Sequence, residues 1–244
     1  MLDIKKRVLI LLLLLILPLI SLCSCKKREF YVCGDFMYCL IKEHGEEMAA
    51  ITRLSDSAEE KEVIIMPEYL DGYKVYGFYD RGSSRQWGHI SSDPVHKIYI
   101  LHEYSYKLRP LEGNDIFLLG DAINSYFDNV EYRWFLFFPS NVKLEEKSYN
   151  DGLYNANVTY YVDNEIYWID DYDNSLITFI PENPTKEGYT FDGWYKDSEY
   201  QNKWDFDVDI VPAKDIEYWD DFHYVNRKTY NYKETKLYAK FIKN

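Results

Sequence analysis

The sequence predicts a mostly β protein with short helices, and three observations carry that prediction. Aromatic residues are 18% of the 244, with 25 tyrosines among them, a composition that favours strands and excludes a disordered acidic chain. Short apolar runs recur between turn residues, as in Val63, Ile64, Ile65, Met66 before Pro67 and Phe135, Leu136, Phe137, Phe138 before Pro139; they have the length of strands. Near the C-terminus Leu237, Ala239 and Phe241 alternate with Tyr238 and Lys240, the period-two pattern of a strand with one apolar face. Charge excludes a partner class. The 41 acidic against 28 basic residues give −13, and removing residues 1–24, with three basic and one acidic side chain, leaves −15. A chain so acidic repels phosphate backbones, and Lys26, Lys27 and Arg28 form the only tight basic triplet after residue 24; no nucleic acid partner is expected.

The first element is an export signal. Lys5, Lys6 and Arg7 precede an apolar run at residues 8–17, and Pro18 and further apolar residues follow, the three-part layout of a secretory leader. As a helix, residues 8–22 reach only about 22 Å, short of a hydrocarbon core of about 30 Å. Leu22, Cys23, Ser24 and Cys25 resemble the bacterial lipoprotein box, in which a small residue precedes the modified cysteine. The resemblance implies a signal peptide at 1–24 and a diacylglyceryl thioether on Cys25, the new N-terminus; bulky Leu22 makes Cys23 the poorer site. Acyl chains bind membranes at about 0.8 kcal/mol per buried methylene, so two or more anchor stably. The expected location is the extracytoplasmic face of a bacterial membrane or the cell surface, with a cleaved, unlipidated secretory protein as the alternative.

Residues 25–60 read as a tether and N-terminal β-rich cap. Residues 30–41 are aromatic and β-prone, a turn falls near His44 and Gly45, and residues 49–54 supply a second strand. Cys33 and Cys39 could close a small loop in an oxidising compartment, which permits a disulfide without requiring one. Residues 61–173 follow as a repeat-like region and a β-rich connector. Apolar blocks at 62–67, 70–78, 95–100 and 134–142 suggest one strand per repeat, stacked in parallel to bury what no single repeat buries alone. Between them Ile116, Leu119, Ile123 and Phe127 are spaced three or four apart, consistent with a helix over 115–129 or with an irregular loop holding buried aromatics.

Two resemblances extend this reading. Ile64, Ile65, Met66 and Pro67 with Asp71, Gly72 and Val75, and Phe138, Pro139, Ser140, Asn141 and Val142, resemble leucine-rich repeats of bacterial surface antigens. The anchors 64, 98 and 135 lie 34 and 37 residues apart, wider than the roughly 20–29 of regular repeats, so the region is identified as degenerate leucine-rich-repeat-like. Farther on, Ile177, Thr178, Phe179, then Asn183, Pro184, Gly188, Tyr189, Phe191, Asp192, Gly193, Trp194, Tyr195, then Trp204, and finally Leu237, Tyr238 and Phe241 resemble the Listeria–Bacteroides repeat, the B-repeat of internalin-type surface proteins. That resemblance implies a small β-grasp-like domain over 174–244. The family's last aromatic is usually Trp where Phe241 stands, and residues 211–231 are longer than the common spacing. Gly193 reads as a bulge or close approach before Trp194.

No chemistry-bearing constellation competes with a binding role. His44, His89, His96, His102 and His223 are dispersed, and Tyr106 stands where a helix-borne zinc signature starting at His102 needs its second histidine. Asp171, Asp173, Ser175 and Glu182 fall at positions 1, 3, 5 and 12 of a calcium-loop template, but Leu176 replaces its turn-making glycine. Asp205, Asp207 and Asp209 alternate as on one strand face. Both acidic groups read better as solvated edges. No nucleophile elbow, Cys–His pairing or phosphate-cradling glycine loop occurs. The expectation is a non-enzymatic, cofactor-free binding or adhesion lipoprotein recognising an extracellular protein or glycan, attached to the membrane by its lipid. A structural spacer without ligand and a carboxylate-based glycan hydrolase are the alternatives.

Overall fold

Two-residue turns set the register of the N-terminal strands. His44 and Gly45, at φ 48° and 92°, join β2 (Phe36–Glu43) to β3 (Glu46–Leu54), with Glu43 opposite Glu46. Asp71 and Gly72, at φ 49° and 84°, join β5 (Tyr69–Leu70) to β6 (Tyr73–Phe78). Positive φ at both central positions matches the twist of a tight hairpin. With β1 (Tyr31–Cys33) these strands form a sheet of order β1-β2-β3-β6-β5, in which β6 lies parallel to β3. The computed structural model describes residues 29–79, 90–91, 94–103, 111, 113–123, 135–144, 152–221 and 224–244. Cys25, His89, His223 and residues 124–129 of the expected helix lie outside them.

The centre is a stack of five short parallel strands: β4 (Val63–Ile65), β7 (Lys97–Ile100), β8 (Asp115–Leu118), β9 (Phe135–Phe138) and β10 (Leu153–Asn155). They pair in chain order without slippage, so Ile64, Ile98, Ile116, Leu136 and Leu153 make one ladder. Tyr99, Phe117, Phe137 and Tyr154 make the next. The first ladder joins Tyr38, Ile51, Leu54 and Val75 of the N-terminal sheet in one buried cluster. The aromatic ladder faces the other way, into a cluster with Val158, Tyr160, Trp168, Trp194, Leu237 and Ala239. Because both faces are covered, the strands read as unbroken apolar runs.

The C-terminal region is built on a four-stranded sheet of order β12-β11-β18-β14, comprising β11 (Val158–Val162), β12 (Glu165–Asp170), β14 (Tyr189–Tyr195) and β18 (Thr235–Lys243). Strand β11 runs parallel to β18 and the other pairings are antiparallel. Two small ribbons complete it: β13 (Ser175–Leu176) with β15 (Ile210–Val211), and β16 (Asp215–Asp221) with β17 (Tyr224–Asn231).

Several expectations require correction. The described residues form eighteen strands, with α-helical backbone confined to residues 122–123, so a mostly β fold with short helices ending in a β-grasp-like domain does not describe them. Residues 115–118 of the expected helix are strand β8; Ile116 and Phe117 bury on opposite faces, and the helical spacing of Ile116 with Leu119 is coincidental. No helix crosses the C-terminal sheet among the described residues. Between β14 and β15 the chain turns instead, the Asp197 carboxylate accepting the amide N–H groups of Gln201 and Asn202, each at 2.9 Å. Asp205, Asp207 and Asp209 share no strand face: the Asp205 carboxylate accepts the Asp207 amide and the Asp209 carboxylate accepts the Asp205 amide. The block at 70–78 leaves the stack to pair with β3, and Ile116 supplies the rung missing between Ile98 and Leu136. Cys33 and Cys39, for which a bridge was permitted and not required, are free thiols.

Candidate functional site

The aromatic ladder is where the stack and the C-terminal sheet meet. Ring centroids step 4.7 Å from Tyr99 to Phe117, 4.6 Å to Phe137 and 5.6 Å to Tyr154, and Trp168 of β12 stacks on Tyr99 at 4.4 Å. In-register parallel pairing holds equivalent side chains a strand spacing apart, so rings of one ladder stack face to face. At its edge Lys97 extends from β7 to Asp170 at the end of β12, Nζ lying 2.7 Å from Oδ1. Asp170 is 0% exposed and Lys97 15%. The ammonium also sits 3.6 Å above the Tyr172 ring. Burial lifts the Asp170 carboxyl above the usual carboxylate range, against the pull of Lys97. Burial likewise raises the Tyr99 and Tyr160 phenols far above their ordinary values, the Asp170 charge adding to it. A second buried pair, Asp171 with Lys214, lies alongside.

Beyond the C-terminal ends of β7, β8 and β9 the chain folds back and leaves a cleft of ≈ 290 Å³. Leu101, Leu119, Ile123 and Pro139 give it apolar walls, and Ile166 and Tyr167 of β12 close the far side. Asn141 and the Tyr167 hydroxyl bring polarity; the latter donates to the Glu182 carbonyl at 2.8 Å. Two devices shape the walls. Gly120 has φ +53°, and a Cβ there would stand 2.9 Å from the Leu101 carbonyl oxygen, a backbone contact that cannot yield. Asn155 donates from Nδ2 to the carbonyls of Pro139 and Val142 at 3.0 and 2.9 Å, which fixes the turn carrying Asn141. A cleft of this size lies just below the roughly 300–1,000 Å³ of small-molecule sites; it admits one ring-sized group.

The residues singled out from sequence fall elsewhere. His44 is exposed, and His96 is buried with its Nδ1 2.6 Å from the Lys61 carbonyl. His102, next to Leu101, lies 3.9 Å from Glu68. The calcium-loop spacing does not assemble: Asp171 pairs with Lys214, and Asp173 accepts the Lys214 amide at 2.7 Å. Among the described residues no three His, Cys, Asp or Glu side chains converge to hold a metal ion. Sequence reasoning missed the cleft because Ile166 and Tyr167 belong to a segment read as a connector. Turn residues directly after each apolar run, Gly120 and Pro139 among them, were the available signal.

Comparison with known proteins locates a recurrent module here. The Listeria-Bacteroides repeat domain matches residues 154–217, which run from β10 into β16 and include both cleft residues of β12. A 36-residue segment is 58% identical to internalin H of Listeria monocytogenes, covering 15% of this chain and 7% of that protein. The chain thus contains an internalin-type repeat and spans a small fraction of that relative's length.

Proposed function

We propose that the protein is a non-catalytic surface lipoprotein, anchored through Cys25, that binds an extracellular protein or glycan at the cleft between the parallel stack and strand β12. The observation that carries the reading is the cleft itself: among the described residues that line it, apolar walls, two polar side chains and no acid–base pair. Such a lining binds and orients a ring or side chain without reacting with it. The internalin-type repeat contributes one wall and supports a role in adhesion. Two or more acyl chains on Cys25 would hold the protein stably at the membrane. The test is an array of host glycans, bacterial cell-wall glycans and extracellular matrix proteins, probed with the wild type and with Asn141→Trp. Asn141 is exposed at the cleft rim, so a Trp there fills the cleft without disturbing the core. Saturable binding by the wild type that the variant loses is expected. Binding that the variant retains moves the site elsewhere, and no binding by the wild type favours a spacer.

A further inference from the structure

The ion pair between Lys97 and Asp170 leaves the carboxylate satisfied on one side only. Its Oδ1 lies 2.7 Å from Lys97 Nζ and accepts the Asp171 amide N–H at 2.7 Å. Its Oδ2 is buried and has no hydrogen-bond partner among the described residues, and neither do the nearby Tyr99 hydroxyl and Trp168 indole N–H. Lys97 Nζ has a second acceptor, the Asp171 carbonyl oxygen at 3.3 Å. The nitrogen therefore faces one backbone acceptor, Oδ1 faces one backbone donor, and the remaining oxygen makes no hydrogen bond among the described residues.

That pattern of partners suits an amide better than an ammonium carboxylate. A buried ion pair carries a heavy desolvation cost unless every lone pair and proton is engaged, and a buried acceptor left unpaired adds its own penalty. An amide between the two side chains would carry one N–H, matched to the Asp171 carbonyl, and one C=O, matched to the Asp171 amide. The oxygen it would lack is Oδ2.

We propose that Lys97 and Asp170 are joined after folding by an intramolecular amide bond. The ammonium first passes a proton to Oδ1, the oxygen it touches, which converts the ion pair into the amine and carboxylic acid, and rotation of the carboxyl about Cβ–Cγ carries the protonated oxygen to the Oδ2 position. The Nζ lone pair then attacks Cγ and forms the C–N bond, and the negative charge developing on oxygen is met by the Asp171 amide. The C–O bond to Oδ2 breaks, the second proton from nitrogen leaves with it, and one water molecule departs. Nothing is oxidised or reduced and no co-reactant is needed. Packing supplies the rate. Reactants held in contact by a folded core gain the effective concentration of an intramolecular reaction, and the surrounding Tyr99, Phe117, Trp168 and Tyr172 rings exclude the water that would reverse it.

The bond would staple β7 of the central stack to β12 of the C-terminal sheet, across 73 residues of chain. The test is mass spectrometry of the full chain, digested under denaturing conditions. The expected result is a branched peptide joining residues 97 and 170, one water lighter than the sum of its two arms, and absent from Lys97→Arg. Linear peptides of full mass containing Lys97 and Asp170 overturn the proposal. So does a loss of water confined to the Asp170 peptide, which marks a local cyclisation.

Discussion

At the scale of single residues, buried asparagines hold this molecule's irregular backbone. Asn157 is fully buried, donates from Nδ2 to the Tyr172 carbonyl at 2.7 Å and accepts the Tyr172 amide at 3.1 Å, replacing the two bonds of a missing strand neighbour. Asn114 accepts the His96 amide at 2.9 Å and donates to the Leu111 carbonyl. Truncation leaves buried backbone groups unpaired, which costs about 1–3 kcal/mol for each such group. Asn157→Ala should therefore lose at least that much stability in urea unfolding, with the m-value unchanged; an unchanged midpoint would mean that the Tyr172 backbone finds other partners. Gly120→Ala meets a fixed carbonyl in a left-handed conformation, and about 1–3 kcal/mol of strain should appear in the same assay. None of these asparagines stood out in the sequence, since the backbone groups they serve lie up to 24 residues away. Acidic residues misled for the same reason. Asp171 reads as a solvated acid until Lys214, 43 residues on, is folded against it.

At the scale of elements, local turn chemistry was legible and strand identity was partly hidden. The hairpin at His44 and Gly45 follows from its sequence, and so does the bulge at Gly193, where the pairing of β14 with β18 slips. A four-residue strand buried on both faces has no period to read, so Ile116 could be assigned to a helix on spacing alone. The stack's anchors also recur unevenly, at positions 64, 98, 116, 136 and 153, because β5 and β6 are spliced into the first interval to complete another sheet. Strand β14 and the loop that follows it carry their own pH dependence. Backbone amides of Gln201 and Asn202 hold the Asp197 carboxyl below its usual pKa, and the Tyr195 hydroxyl, at 2.5 Å, does the same for Asp192. A carboxyl whose folded pKa is depressed contributes stability above its unfolded value of about 3.9, and that stability is lost as pH falls through the folded pKa. Carbon-detected NMR titration should find both carboxyls ionising below free aspartate, and the loop opening only once they protonate. Asp197→Asn should remove the acid step assigned to residue 197 and leave that of Asp192. Titration of Asp197 at the free-aspartate value would show that its amide bonds do not persist in solution.

At the scale of the whole molecule, the parallel stack is the shared wall of two cores. Its aliphatic ladder closes the N-terminal cluster and its aromatic ladder closes the C-terminal one, so neither flanking sheet can leave without exposing a face of the stack. Composition foretold a β-rich, aromatic protein. It could not say that β11 pairs with β18 across the whole repeat, Val158 opposite Thr235, because such pairing is decided by which faces need covering once the chain is compact. The dependence is open to test by truncation. A chain ending after Asn155 keeps the stack and the N-terminal sheet but loses every strand that covers Tyr99, Phe117, Phe137 and Tyr154, rings now at most 3% exposed. Contiguous aromatic surface of that kind drives association. The truncated chain should bind a hydrophobic dye and self-associate in light scattering, whereas a full chain carrying Asn141→Trp should bind no more dye and scatter no more light than the wild type. Retention of a monomeric, dye-silent state by the truncated chain would mean that the stack is a free-standing unit, and that the internalin-type repeat is attached to it without completing it.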